Sequence, residues 1–67
     1  MQTHKTTMAD IKENDDSEFG LIVEVIANNE YEVVFNVVQD GFEYDPYDDD
    51  TYEQYDAEPD DEIIIYF

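Results

Sequence analysis

The sequence predicts a small α+β domain, rich in β, built on one antiparallel sheet of three to four strands. Three observations carry the prediction. Residues 19–38 alternate with the period of two that marks a strand, broken once at Asn28-Asn29. Asp40-Gly41 follows directly, and Asp-Gly is a strong short hairpin signal. The chain closes on Ile63-Ile64-Ile65-Tyr66-Phe67, a run of β-branched and aromatic residues.

Residues 1–17 form a polar segment. Thr7 with Asp10 three positions later has the shape of a capping box, and Met8 and Ile11 fall at helical spacing. This pattern predicts one short helix over about residues 7–14. A β-meander over residues 18–45 follows, with strands at about 18–27, 31–39 and 42–45. In the first strand Phe19, Leu21, Val23, Val25 and Ala27 share a face, and in the second Tyr31, Val33, Phe35 and Val37 do. A three-residue loop, Asn28-Asn29-Glu30, pairs Val25 with Val33, Val23 with Phe35 and Leu21 with Val37. That register leaves one face wholly apolar, whereas a two-residue loop sets Val25 against Glu32. Pairing Gln39 with Phe42 then places Tyr44 opposite Val37, and Pro46 ends the third strand.

Residues 46–61 are an acidic segment, either a short helix from about Asp48 to Ala57 or an irregular loop. Residues 62–67 form the C-terminal strand, which must pair to avoid exposing an aggregation-prone edge, most simply beside the first strand of the meander. The expected core is Val23, Val25, Val33, Phe35, Val37 and Ile65. All 67 residues make a single domain with a thin core.

Charge is the strongest functional signal. Twenty residues are Asp or Glu and only Lys5 and Lys12 are basic, for a formal net charge of −18. Self-repulsion of this size destabilises a compact fold, so a benefit must offset it. The charge argues against direct binding to nucleic acid or to an anionic membrane surface. Aromatics at 15% and a hydrophobic fraction of 42% are too high for a simple disordered acidic tail. Residues 1–16 hold no signal-like apolar run and nothing approaches the roughly 20 residues of a membrane span, so the expected compartment is the cytoplasm.

The chemistry-bearing motifs are few. There is no cysteine and His4 is the single histidine, which argues against a zinc site and a His-based catalytic arrangement. The stretch from Asp45 to Glu53 is rich in hard oxygens but lacks the spacing and central glycine of a calcium loop. The expectation is therefore no enzyme, no cofactor and no dedicated metal site.

The acidic stretch carries the partner-binding expectation. Residues 40–62 hold 12 carboxylates in 23 positions and no basic residue. Fully extended, that is one charge per about 6 Å; helical, one per about 3 Å. A single DNA strand carries one per about 3.4 Å, so the segment matches it only if folded or packed beside a second acidic row such as Glu24, Glu32 and Glu43. The candidate interface is Asp45, Asp48, Asp49, Asp50, Glu53, Asp56, Glu58, Asp60 and Asp61, with Tyr47, Tyr52 and Tyr55 as anchors that stack on arginine.

In size and charge over its whole length, the chain resembles the small nucleic-acid-mimic inhibitors of bacteriophages and mobile elements, of the anti-CRISPR, anti-restriction and uracil-DNA-glycosylase-inhibitor kinds. No family motif accompanies the resemblance. It implies an inhibitor, most of all an anti-CRISPR protein, that sits in the basic groove of a nucleic-acid-binding protein or CRISPR effector complex in the bacterial host. Two other classes share the composition: an antitoxin or immunity-type inhibitor of one basic enzyme, and a small acidic protein adapted to high salt.

Because unscreened repulsion dominates, moving from low to moderate NaCl raises the thermal midpoint. Mild acidification toward the carboxylate range acts the same way until solubility fails near the sequence pI of about 4.1. A midpoint that falls with added NaCl contradicts this reading of the charge.

Overall fold

The computed structural model describes residues 2–39, 41 and 43–67. Six strands form one antiparallel sheet curled into a half-barrel. They are β1 (Thr3–Thr7), β2 (Asp16–Ser17), β3 (Gly20–Asn28), β4 (Val33–Val38), β5 (Glu53–Ala57) and β6 (Glu62–Tyr66), in the spatial order β1-β6-β2-β3-β4-β5. The described residues contain no α-helix, only short 3₁₀ turns at Met8–Asp10 and Asp49–Thr51. The expected α+β domain of three to four strands is therefore corrected to a nearly all-sheet fold. With extents of 30 × 29 × 13 Å the molecule is one sheet thick.

The sheet is organised on β4. Its sequence Val-Val-Phe-Asn-Val-Val carries no charge, and all six residues are buried. Val33, Phe35 and Val37 face the core side; Val34, Asn36 and Val38 face the opposite, outer side.

β3 lies antiparallel to β4 in a register unlike the expected one. The pairs are Leu21↔Val38, Ile22↔Val37, Glu24↔Asn36, Val25↔Phe35, Ala27↔Val34 and Asn28↔Val33, and Val23 and Ile26 are extra residues at two bulges. Each bulge inserts one residue and adds twist, which curls the sheet. The bulge at Val23 also switches the alternation, so that Ile22 and Val25, three apart, both serve the core. Ile22 is fully buried, while Leu21 and Ile26 remain exposed. The connecting loop is longer than expected and begins on Asn29, whose Oδ1 accepts from the Tyr31 and Glu32 N–H groups at 2.8 and 3.0 Å. Tyr31, expected in the second strand, is an exposed loop residue.

The other neighbour of β4 is β5, drawn from the acidic segment, and not a strand at 42–45. Residues 43–45 are irregular, and Glu53 takes the place opposite Val37 that was expected for Tyr44. Asp40 and Phe42, and with them the expected Gln39–Phe42 pair, lie outside the described residues. The segment 46–61 is thus neither a helix nor loop throughout. Tyr55 and Ala57 alternate with Gln54 and Asp56, and this period lets a chain so rich in acid join the sheet with one side packed on the core.

The Ile63-Ile64-Ile65 run forms β6, as its composition requires, but two-residue β2 separates it from β3. β2 pairs with both through Asp16↔Leu21, Ser17↔Gly20, Asp16↔Tyr66 and Ser17↔Ile65. A φ of 75° at Asn14 turns the chain into β2, a conformation asparagine tolerates. The buried Ser17 closes the next turn: its hydroxyl donates to the Gly20 carbonyl at 2.7 Å and accepts from the Phe19 N–H. On its other side β6 is paired along its whole length with β1, from Thr3↔Tyr66 to Thr7↔Glu62.

This pairing explains why the N-terminal helix does not form. Threonines suit an extended edge, and β1 covers a strand that would otherwise be open. The Thr7 side chain makes no cap bond and its backbone is extended. The Met8–Ile11 spacing still reports something real, because both residues are buried in the core through the 3₁₀ turn.

The core joins Ile22, Val33, Phe35, Val37, Ile63 and Ile65 to Met8 and Ile11, with Phe19, Val25, Tyr55 and Ala57 packed at its margin. Val23 is half-buried, outside this cluster. Phe35 anchors it, with ring centroids 5.8 Å from Tyr55 and 6.3 Å from Phe19.

Phe35→Ala, at a fully buried site, lowers stability by about 3–5 kcal/mol in urea unfolding. Gly20→Ala is also destabilising, because φ is +129° there and an added Cβ would sit 2.7 Å from the Val38 carbonyl oxygen. A parent-like melt for either variant contradicts the register.

Candidate functional site

β5 divides the acidic stretch between the two ends of the sheet. Before it, residues 43–52 carry Glu43, Asp45, Asp48, Asp49 and Asp50 at the end where β5 begins. After it, Glu58, Asp60 and Asp61 lie at the opposite end, beyond Ala57. The separation is the length of β5, roughly 14 Å.

The second rim gains residues from elsewhere in the chain. Met8 and Ala9 donate their N–H groups to the Asp61 and Pro59 carbonyls, and Asn28 Nδ2 donates to the Ala9 carbonyl at 2.9 Å. These bonds bring Asp10 and the hairpin loop bearing Glu30 and Glu32 to the same end as Glu58, Asp60 and Asp61. Sequence reasoning counted Glu32 with Glu24, read Asp10 as part of a capping box and Glu30 as a loop residue, and placed neither in the interface, because they lie 26 or more positions away from Asp56 in the sequence.

The first rim is a set of interlocking turns. Asp45 Oδ1 accepts from the Tyr47 N–H at 3.0 Å, and Asp48 Oδ1 accepts from the Asp50 N–H at 3.1 Å. Thr51 ties the two together: its Oγ1 accepts from the Asp45 N–H and lies 2.8 Å from both the Asp45 and Asp48 carbonyls. These turn bonds leave the carboxylates exposed and hold the backbone between them. At the far rim the Asp61 carboxylate accepts from the Glu58 N–H at 3.1 Å in the same manner.

The three tyrosines expected as anchors fall in three different environments. Tyr47 stands 96% exposed at the tip of the first rim. Tyr52 is half-buried on the outer side; its hydroxyl donates to Asp49 Oδ1 at 3.0 Å and its ring meets Tyr44 edge-on at 5.6 Å. Tyr55 packs its ring into the core against Phe35 and Phe19, and only its hydroxyl reaches out, to Glu53 Oε2 at 2.8 Å. Its ring is committed to the fold and is not a free stacking surface. Asp56 lies exposed on the outer side of β5, opposite Val34.

Tyr44, expected opposite Val37 on the apolar face, is instead an outer-face residue. Its hydroxyl donates to Glu24 Oε2 at 3.1 Å, across the sheet from the core cluster. Asn36, the ladder partner of Glu24, lies beneath it and is buried. The one available signal for Asn36 was a lone polar residue in the middle of an otherwise apolar strand.

Among the described residues no three acidic or histidine side chains converge as a metal-binding set. No helix is long and apolar enough to cross a membrane among those residues. The single ion pair found there joins Lys5 to Glu62 at 3.0 Å, with both side chains largely exposed. No protein-family model, curated protein or solved structure matches the chain.

Three phenols titrate late. Partial burial and the bond to Glu24 push Tyr44 above the ordinary value of 10.0, against a smaller lowering by Asn36. The bond to Asp49 raises Tyr52, and the bond to Glu53 raises Tyr55. Because these pKa values are raised in the folded state, the stability they confer is complete below the unfolded value and is lost as pH climbs through the folded ones. Ultraviolet titration of Glu24→Gln therefore shows Tyr44 ionising at lower pH than in the parent. An unchanged titration curve contradicts the Tyr44–Glu24 bond.

Proposed function

We propose that this chain is an acidic, non-catalytic inhibitor that occupies the basic nucleic-acid-binding groove of a DNA- or RNA-handling protein. A host-defence nuclease complex of the CRISPR type is the target class that suits its size and charge. The observation that carries the proposal is the charge and its distribution: −18 on 67 residues, with 11 of the 20 carboxylates at two ends of one thin sheet.

A continuous acidic helix is no longer the basis for mimicry, since the segment is turn, strand and turn. The spacing within either rim comes instead from packed turns and from chain segments brought together by the fold. Two rows of carboxylates separated by the length of a strand present charge on the scale of paired phosphate rows flanking a groove. The first rim carries Asp45, Asp48, Asp49, Asp50 and Glu53 with Tyr47 and Tyr52; the second carries Glu58, Asp60 and Asp61, joined by Asp10, Glu30 and Glu32. A basic protein surface is attracted to both at long range, which favours fast, salt-sensitive association.

The test is displacement of labelled duplex DNA or guide RNA from candidate basic nucleases, run across a series of NaCl concentrations. The parent displaces nucleic acid, less effectively as salt rises. Neutralising Asp48, Asp49 and Asp50 together to Asn weakens displacement by tenfold or more while the thermal midpoint stays level or rises. Equal displacement by parent and triple variant removes the first rim from the interface.

A further inference from the structure

The two edges of the sheet are not alike. β5 closes one side of the strand order and pairs with β4 alone. Among the described residues no other group bonds to the backbone of Glu53–Ala57. In an antiparallel ladder, alternate residues of an edge strand turn both N–H and C=O away from the sheet. β5 therefore presents a row of open donors and acceptors along its five residues.

Sheets commonly guard such an edge with a bulge, a proline or a lysine. β5 has none of these. Its register against β4 runs unbroken from Val33↔Ala57 to Val37↔Glu53, and it contains neither proline nor glycine. The opposite edge strand, β1, carries Lys5 at its centre. What β5 carries is acid, with Glu53 and Asp56 exposed on it. Acid on both strands opposes the pairing of β5 with a second β5, but it favours a basic strand.

The two faces of β5 agree with an added neighbour. On the core side Tyr55 and Ala57 pack against the core cluster yet stay partly exposed, since no strand lies beyond them. On the outer side Gln54 and Asp56 are exposed. At its two ends the strand runs into the acidic rims, after Asp49 and Asp50 and before Glu58.

We propose that the free edge of β5 docks an extended basic segment of the partner, which joins the sheet as a further strand. The proposal rests on the inhibitor reading above and names the part of the basic partner that is held. The backbone ladder supplies the docking, and the side chains select the occupant. Apolar residues at alternate positions of the segment cover Tyr55 and Ala57. Lysine or arginine at the intervening positions lies beside Gln54 and Asp56, and basic residues at both ends meet the rims.

The experiment uses the full chain and two blocked peptides of equal charge, Arg-Val-Lys-Val-Lys-Val-Arg and Arg-Pro-Lys-Pro-Lys-Pro-Arg, at one fixed ionic strength. Proline has no N–H to give a ladder, so the second peptide keeps the charge but cannot add as a strand. Binding is read from backbone amide NMR signals, and strand addition from slowed amide exchange within Glu53–Ala57. The valine peptide binds at least tenfold more tightly than the proline peptide and slows exchange of the outward-facing N–H groups of β5. Asp56→Lys, at an exposed outer position, keeps the fold and weakens the valine peptide at least fivefold. Asp56→Asn, with a smaller loss, serves if the lysine variant does not fold. Equal binding of the two peptides, shifts confined to the rims, or parent-like binding by a folded variant overturns the docking edge. Protection of β5 without peptide that rises with protein concentration, together with a doubled mass in light scattering, assigns the edge to a second copy and overturns the basic occupant. A parent that displaces nucleic acid but adds no strand refutes this proposal alone. Strand addition in a protein that displaces no nucleic acid refutes the groove-occupying reading and leaves the docking edge standing.

Discussion

The double-sided burial of β4 is the constraint on which the rest of the structure depends. A chain with this much negative charge has few places to put an uncharged strand, and Val33–Val38 is its longest one. Because both faces of that strand are buried, both of its edges must also be paired, and β3 and β5 are recruited to do it. Covering the core side then requires Met8, Ile11 and Phe19 to fold in from the sheet margin, while Tyr44 takes a place over Asn36 on the other side. The small thickness of the molecule follows: among the described residues no second layer of secondary structure shares the task.

Charge is accommodated without countercharge. The described residues show one ion pair, on the surface, where such pairs contribute little. Most of the hydrogen-bonded carboxylates instead take neutral donors close in sequence. Asp15, Asp45, Asp48 and Asp61 accept from backbone N–H groups two or three residues away, and Asp10 lies within reach of the Thr6 and Thr7 hydroxyls. Glu24, Asp49 and Glu53 each accept from a tyrosine hydroxyl. These bonds satisfy oxygens locally while leaving the negative charge itself unneutralised and facing water. A protein built this way keeps its full negative field at the surface. The same arrangement explains why the acidic residues can be dense at turns: each turn is stabilised by the carboxylate that it displays.

Much of the strand content was readable, and the reasons for the failures are specific. The β-branched runs within Val33–Val38 and at Ile63–Ile65 are strands because such residues leave few alternatives. The hairpin register was missed because the loop is longer than three residues and because two bulges, at Val23 and Ile26, each change the alternation that period-two reasoning assumes constant. Edge strand β1 was missed because Thr-His-Lys-Thr-Thr carries no apolar face; it is a strand only because β6 needs a partner. Strand β5 was missed because its acid content outweighed the Tyr55–Ala57 alternation. Of the candidate site, the identity of the acidic residues was plain, but their grouping was not. Tyr55 joined the core, Tyr44 moved off the apolar face, and Glu24 became part of a cluster with Asn36 that no local pattern marks.

What the sequence by itself determined is therefore the chemistry and the material of the fold: a large negative charge with almost no internal compensation, and a few uncharged β-forming segments. These depend on composition and on short-range preference, which are properties of neighbouring residues. Only the tertiary structure decided the order of the strands, the parity of β3 and the separation of the carboxylates into two rims. It also decided the burial of Asn36 beside Tyr44. The physical reason is that each of these depends on satisfying backbone hydrogen bonds and covering apolar surface between segments far apart in the chain. β6 needed β1 from the other terminus, and β4 needed β5 from the acidic stretch.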